Sequence, residues 1–189
     1  MNGSLGHLNF IYDHGVTLYG VMGTCSAETA EIHEALFDPH AGELRKDVKK
    51  LLGDVAFRNI LVINRVEILP AYRRMGLGLA TVWNIIRRHS AGCGIVALKA
   101  FPFQFRNGGW SGSLSDLDEN DWHKKMEYDP YSYTVEFAHE KLTFHLMKLG
   151  FERIGDTGVV ALSTSRQSPI PQEIRRWIPR SALPEPEQL

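Results

Sequence analysis

The period of the hydrophobic pattern changes once near the middle of the chain, between a predicted strand and a predicted helix. Four consecutive apolar residues, Ile60 to Ile63, predict a buried strand. Polar and apolar residues then alternate as far as Leu69, and Pro70 ends the strand because it removes a backbone donor. Beyond Gly78 the apolar residues recur at helical spacing, which predicts an amphipathic helix. The apolar face of this helix carries Leu79, Val82, Trp83 and Ile86.

The same reasoning predicts the other elements of the chain. Ahead of the central unit we expect strands over 8–12 and 16–24, then helices over 26–36 and 43–52. After it we expect a turn over 91–94, a strand over 95–105, a helix over 133–149, and strands over 151–154 and 159–163. A helix connects the two apolar strands that begin at Ile60 and Ile95, so we expect them to be parallel.

Composition and charge narrow the class of protein. The chain has 189 residues, which is enough for one domain with a full core. A net charge of −1 offers no general field for nucleic acid or a membrane surface. Cys25 and Cys93 are too few for a disulfide framework, and no basic leader or membrane-length apolar run is visible. We therefore expect a cytoplasmic protein. His33 and His40 lack metal-ligand spacing to a third residue, and we interpret both as solvated helix residues.

The turn between the central strand and helix has the chemistry of an anion site. Gly76 and Gly78 carry no Cβ, so a bulky anion can approach the backbone within hydrogen-bonding distance. The first N–H groups of the helix have no partner inside it and lie at the positive end of its dipole. Arg73 and Arg74 add charged donors. The stretch predicts a phosphate-binding turn, and an ordinary strand-to-helix turn is the alternative.

Two widespread phosphate motifs do not fit this turn. A P-loop requires Gly-Lys-Ser/Thr, which does not follow Gly78. A dinucleotide fingerprint requires a small residue where Thr81 stands and an acid near residues 98–103, which read LKAFPF. The hexapeptide that begins at Arg73, RRMGLG, instead resembles the Arg/Gln-x-x-Gly-x-Gly/Ala motif of the GCN5-related N-acetyltransferase (GNAT) superfamily, which binds acetyl-CoA.

A second stretch strengthens this resemblance. Residues 148–151, Lys-Leu-Gly-Phe, are similar to the ending of the GNAT signature Tyr-x-Lys-Leu-Gly-Phe, which closes a helix beside the CoA thiol. The resemblance spans 16–163 and is clearest over 55–163. It implies an α/β (α+β) GNAT-like fold, a central mixed sheet with helices on both faces, over residues 1–163. Residues 164–189 form a C-terminal extension that we expect to be partly disordered or to serve packing or oligomerisation.

The resemblance also implies a cosubstrate, acetyl-CoA, with no metal. The N–H groups from Arg74 to Leu79 would hold the pyrophosphate, and the pantetheine arm would pair with the backbone around Val66 and Ile68. The Val66 N–H would polarise the thioester carbonyl. The residues implied in cofactor binding are Val66, Ile68, Arg73, Arg74, Met75, Gly76, Leu77, Gly78 and Leu79.

The catalytic candidates are Asn64 and Glu67, because relatives often carry a catalytic carboxylate on this strand. Asn64 lies on the face where that base is expected and would position a water or the amine. Glu67 is the only carboxylate in the strand, but alternation directs it to the other face, where an ion pair with Arg65 is the competing interpretation. Leu146 stands where relatives carry a tyrosine that protonates the departing thiolate, and His145 is its neighbour.

The sequence thus predicts direct transfer of an acetyl group from acetyl-CoA to a primary amine. The alternative is an acyl-CoA-binding sensor or inactive module that does not turn over. The acceptor would be a small molecule or a peptide, with no nucleic-acid or membrane partner, and a homodimer stays open. The acids Asp116, Asp118, Glu119 and Asp121 in the loop 106–129 would attract a cationic acceptor or form a solvated face.

Overall fold

The structure is a computed structural model, and it describes residues 26–39, 41–55, 57, 59–102, 125–127, 134–166 and 170–178, together with the backbone of 2–6. Several predicted features lie outside these residues. They are the hairpin over 8–24, His40, the acids of the 106–129 loop, and the end of the chain from residue 179. Those predictions stay untested.

The described strands form one mixed sheet. They are β1 (Asn2–Gly6), β2 (Asn59–Arg65), β3 (Cys93–Lys99), β4 (Glu152–Arg153) and β5 (Val159–Ser163). Their order in the sheet is β1-β2-β3-β5-β4. β2 and β3 are parallel, as the helical crossover between them predicts, and every other pair is antiparallel. The predicted mixed α/β class is therefore confirmed.

The described helices lie close to the predicted positions. They are α1 (Ala27–Leu36), α2 (Lys46–Leu52), α3 (Leu77–His89) and α4 (Val135–Met147), with short 3₁₀ helices at Pro70–Tyr72 and Gln172–Trp177. Ser26 caps α1, because its Oγ accepts the Thr29 N–H at 3.1 Å. Gly53 ends α2 with a φ of 76°.

Helices cover both faces of the sheet. On one face, α3 and the end of α4 pack against alternate residues of β2, β3 and β5, and the four residues of the predicted apolar face of α3 are all buried. On the other face, α1 and α2 pack against the intervening residues of the same three strands. The alternation in β2 is clear: Leu61 and Ile63 face α3, whereas Ile60 and Val62 face α1.

Three expectations about the elements were wrong. The first concerns β2, which ends at Arg65 and not at Leu69, because the alternation up to Leu69 is not accompanied by pairing. The second concerns β3, which begins at Cys93, so that Cys93 and Gly94 are not in a turn, and which ends at Lys99, short of the predicted end at residue 105. The third concerns His33, which is buried at 2% exposure and stacks on Phe37 with a ring separation of 5.3 Å. Burial lowers the pKa of His33 because it disfavours the charged form.

Candidate functional site

The two central strands separate at their carboxyl ends. The parallel ladder between β2 and β3 runs to the pair Val62 and Ala97 and stops there. Beyond this pair, β2 continues to Arg65 in contact with β1, and β3 continues to Lys99 in contact with β5. Beyond this point, among the described strands, β2 is paired only with β1, and β3 only with β5. The carboxyl ends of parallel strands are where open α/β sheets bind ligands.

The chain that leaves β2 carries unused main-chain donors. Within the described residues, the N–H groups of Val66 and Ile68 have no hydrogen-bond acceptor. A few residues later, the Arg73 guanidinium donates to the Ile68 carbonyl at 3.0 Å and to the Met126 carbonyl. The Arg73 side chain therefore links the segment after β2 to the 125–127 segment by hydrogen bonds. The Arg73 guanidinium is thus bonded to the protein's own carbonyls. The Val66 and Ile68 amides, by contrast, could bind a ligand as far as the described residues show.

The turn before α3 has an unusual backbone. Arg74 adopts a left-handed conformation with φ of 61°, and Gly76, the N-cap of α3, has φ of 80°. A left-handed residue that is not glycine is uncommon and costs roughly 1–3 kcal/mol, so such residues concentrate at functional sites. No partner for the Arg74 guanidinium is found among the described residues. Its charge is consequently available beside the turn.

Within the described residues, the amides of this turn show a run of donors with no acceptor found. The first main-chain bond at the start of α3 joins the Ala80 N–H to the Gly76 carbonyl at 3.0 Å. In the described part of the chain, no acceptor is found for the N–H groups of residues 74–79. These residues are partly or fully exposed as far as Gly78, and Leu79 is buried. The turn thus combines free donors, the positive end of a helix dipole and a cation.

The two glycines of the turn have different surroundings. A Cβ on Gly76 would lie 2.9 Å from the Glu173 carbonyl oxygen, so this position must be glycine for the chain's own packing as well as for its positive φ. A Cβ on Gly78 would meet only Ile68 Cγ1, at 3.7 Å, which is ordinary contact. The absence of a side chain at Gly78 is therefore not required by packing.

The two catalytic candidates lie at the point where the strands separate. Asn64 is partly buried, and its Oδ1 is buried without a hydrogen-bond partner in the described structure. An orphaned buried oxygen of this kind is a candidate acceptor for a bound ligand. Glu67 forms an ion pair with Arg65, and its side chain is 11% exposed. The structure therefore contains the ion pair that the sequence offered as the alternative role of Glu67.

The end of α4 brings different chemistry. Leu146 is buried at 4% exposure in the core beneath α3, so its position carries no ionisable group. The pKa of His145 lies below its ordinary value, first because of desolvation and then because of the positive charges of Lys148 and Lys141. A lowered pKa reduces the fraction of imidazolium at pH 7, and imidazolium is the form that would protonate a thiolate.

The sequence did not indicate that the C-terminal extension reaches the turn. Trp177 donates its Nε1–H to the Met75 carbonyl at 2.8 Å, and Arg176 Nη2 donates to the same oxygen at 2.6 Å. Glu173 pairs with Lys148 at 2.6 Å. The single tryptophan in a polar, proline-containing tail was the only signal of this contact.

The described residues give no indication of a metal site or of a membrane-spanning helix. Among the described residues, no group of three or more His, Cys, Asp or Glu side chains has the arrangement of a metal site. In that same part of the chain, no helix is both long and apolar enough to cross a bilayer. Comparisons with protein-family models, curated proteins and solved structures gave no match for this chain. Function is therefore inferred from the geometry of the site and from the motif resemblance.

Proposed function

We propose that this protein is an acetyl-CoA-dependent N-acetyltransferase with a GNAT-like fold, which transfers the acetyl group directly to a primary amine. One observation carries the proposal. A turn with free amides, residues 74–79, follows the strand β2 close to the place where β2 separates from β3. The proposed anion site thus follows in the chain shortly after the point where the β2–β3 ladder stops, an order that suits a cosubstrate with a pyrophosphate and an extended arm.

The pyrophosphate would bind at the turn. Backbone N–H groups at the start of α3 donate to its oxygens, and the Arg74 guanidinium neutralises part of its charge. A negative charge at a helix N-terminus usually gains about 0.3–1 kcal/mol, and hydrogen bonds to ionised groups contribute about 1.5–3 kcal/mol. Such contacts, summed over a pyrophosphate, are sufficient for micromolar affinity even after the entropy of binding is subtracted.

The acyl group would lie at the opening between β2 and β3. The pantetheine amides pair with the free backbone groups near Ile68, and the Val66 N–H donates to the thioester carbonyl. The amine attacks the carbonyl carbon as its neutral form, and the Val66 N–H stabilises the oxyanion that develops. An oxyanion donor typically contributes about 2.7–4 kcal/mol to lowering the barrier. The C–S bond then breaks, the amide C–N bond remains, and CoA leaves as thiolate.

The proton of the attacking amine would leave through water. Glu67 is held by Arg65, so it does not face the amine as a free base. Asn64 Oδ1 accepts a hydrogen bond from the incoming amine and orients its lone pair toward the carbonyl carbon. The departing thiolate needs little assistance, because a thiol pKa of about 8.5 makes it a tolerable leaving group at neutral pH.

The alternative function, acyl-CoA binding without turnover, is favoured by one feature. The positions where relatives hold acid–base groups are occupied here by a paired carboxylate, Glu67, and a buried aliphatic residue, Leu146. A sensor would keep the turn and its amides and would have no need for proton transfer.

The experiment that separates the two functions is release of free thiol from acetyl-CoA. The purified protein is offered a panel of amines: polyamines, amino acids, aminoglycosides, and peptides with free N-termini or lysines. We expect amine-dependent thiol release, with formation of the acetylated amine detected by mass spectrometry. Tight acetyl-CoA binding without release for any amine class would favour the sensor. Absence of acetyl-CoA binding would contradict both.

A further inference from the structure

The C-terminal segment 170–178 is anchored in the domain core. Ile174 is 0% exposed and Ile178 is 4% exposed, and both belong to the cluster beneath α3. The Glu173 carboxylate pairs with Lys148 at the end of α4, and this pairing lowers the pKa of Glu173. The segment therefore has a fixed position relative to the turn.

Two donors from this segment converge on one carbonyl of the turn. Trp177 Nε1 lies 2.8 Å from the Met75 oxygen, and Arg176 Nη2 lies 2.6 Å from the same atom. The Arg176 guanidinium also lies over the Trp177 ring, 5.2 Å from its centroid, which holds the two donors together. The two lone pairs of a carbonyl oxygen can each accept one such donor.

Hydrogen bonds that hold the Met75 carbonyl also set the direction of the Gly76 N–H. The Met75–Gly76 peptide is planar and trans, so its C=O and its N–H point in opposite directions. A glycine after the peptide makes rotation of the whole unit inexpensive, because glycine accepts φ values of either sign. Without the two donors, the Gly76 N–H would sample directions away from the anion site. With them, the N–H direction is set before any ligand arrives.

We propose that Trp177, assisted by Arg176, is a positioning residue that holds the Gly76 N–H in the direction required by the pyrophosphate of CoA. This inference rests on the proposed acetyl-CoA site and adds to it a part of the chain outside the two motifs. Preorganised donors bind more tightly because the ordering cost is met during folding and not during binding. The segment 170–178 is then a component of the cosubstrate site and not only an extension.

The test compares CoA with pantetheine, which has the same arm and thiol but no pyrophosphate. In calorimetric titrations, Trp177→Phe should raise the Kd for CoA by about three- to tenfold, the effect of one neutral hydrogen bond. The Kd for pantetheine should not change, because that ligand does not reach the turn. Gln172→Ala is the matched control: Gln172 is exposed on the same 3₁₀ helix and is not one of the two donors to the Met75 carbonyl, so neither Kd should change.

A merely structural role for Trp177 would weaken both ligands together, and that result would overturn the inference. An unchanged Kd for CoA would overturn it as well. If Trp177→Phe does not fold, Arg176→Ala gives the same test, because Arg176 is exposed and its loss should not affect folding. Failure of the unaltered protein to bind CoA would overturn the proposed function itself, so the two failures are distinguishable.

Discussion

The two ends of the β2–β3 pair differ in how closely the backbone segments approach each other. We call the amino end, at Asn59 and Gly94, the closed end, and the carboxyl end, beyond Val62, the open end. At the amino end, Asn59 Nδ2 donates to the Gly92 carbonyl at 3.0 Å, and a Cβ on Gly94 would lie only 1.9 Å from the Phe57 carbonyl oxygen. At the carboxyl end, the β2–β3 ladder stops at Val62, and among the described residues no acceptor is found for the amides of Val66, Ile68 and 74–79.

The difference indicates that the amino end of the pair contributes to stability and the carboxyl end to ligand binding. Close backbone approach at the amino end leaves no space for a ligand and stabilises the fold. At the carboxyl end, no partner is found among the described residues for several main-chain donors and for the buried Asn64 oxygen, and unpaired buried groups cost stability unless a ligand uses them. Substitutions at the two ends should therefore have separable effects on the free energy of unfolding and on acetyl-CoA affinity.

The largest expected effect is at the closed end. Gly94→Ala should lower the free energy of unfolding by about 3 kcal/mol or more, because the new methyl group cannot fit against a backbone carbonyl. Gly92→Ala is the control: no atom lies within 4 Å of its Cβ position, so only its φ of +75° is penalised. That penalty is about 1–2 kcal/mol. Urea unfolding curves measure both, and equal losses would contradict the close packing at Gly94.

At the open end, Gly78→Glu should abolish acetyl-CoA binding while the fold stays intact. The side chain has space, since only Ile68 lies near, but it places a negative charge among the amides of the turn. We expect a loss of affinity of about 100-fold or more, which equals about 2.7 kcal/mol. Stability should not fall, because an acid in the first turn of a helix is favourable by about 0.3–1 kcal/mol. Gly78→Ala, which should bind normally, is the control.

Arg74 tests whether the strained conformation serves binding. Arg74→Gly should raise the free energy of unfolding by up to about 1 kcal/mol, because relief of the left-handed conformation exceeds the extra freedom of glycine in the unfolded chain. The same change should weaken acetyl-CoA binding about three- to tenfold through loss of one charge-assisted contact. Arg74→Gln keeps the strain and removes the charge, so it should weaken binding without the gain in stability. Gains in both properties for Arg74→Gly would contradict a functional role.

The smallest expected effect concerns α4. His145→Ala should lower kcat by less than about tenfold, below the 10²–10⁴-fold contribution that a positioned general acid usually makes. Because desolvation lowers the pKa of His145, less imidazolium is present at neutral pH, and the kcat profile should keep its shape in the variant. In both proteins the rate should rise with pH as the amine loses its proton. A hundredfold loss with unchanged acetyl-CoA affinity would show that His145 protonates the leaving thiolate.

Elements whose residues are contiguous in the chain could be predicted from hydrophobic periodicity and capping residues. The buried face of α3, the strand β5 over Val159–Ser163 and the Ser26 cap follow from periodicity and from capping chemistry. The length of β2 did not, because alternation reports which way side chains point and not whether a neighbouring strand supplies hydrogen bonds. β1 was missed for a related reason. Its sequence, NGSLG, has no strand pattern, and pairing with β2 defines it.

In the candidate site, too, contiguous residues could be predicted from the sequence and long-range contacts could not. The glycine turn was visible because its residues are contiguous. Asn64 was visible because it lies in the strand that leads to the turn, but whether its oxygen has a hydrogen-bond partner depends on distant neighbours. The contact between Trp177 and Met75 joins residues 102 positions apart, and no pattern in a single sequence reports such a pair. Long-range contacts of this kind are set by tertiary packing.

Binding of the cosubstrate at the carboxyl end of the β2–β3 pair and at the turn after it can be observed directly, by titrating the isotope-labelled protein with acetyl-CoA and following the backbone amide chemical shifts. We expect the largest shifts for the amides of residues 74–79, with Val66 and Ile68 next. The amides of Gly92 and Gly94, at the amino end of the pair, should not shift. Saturable binding that leaves 74–79 unshifted, or no binding, would contradict the proposed site.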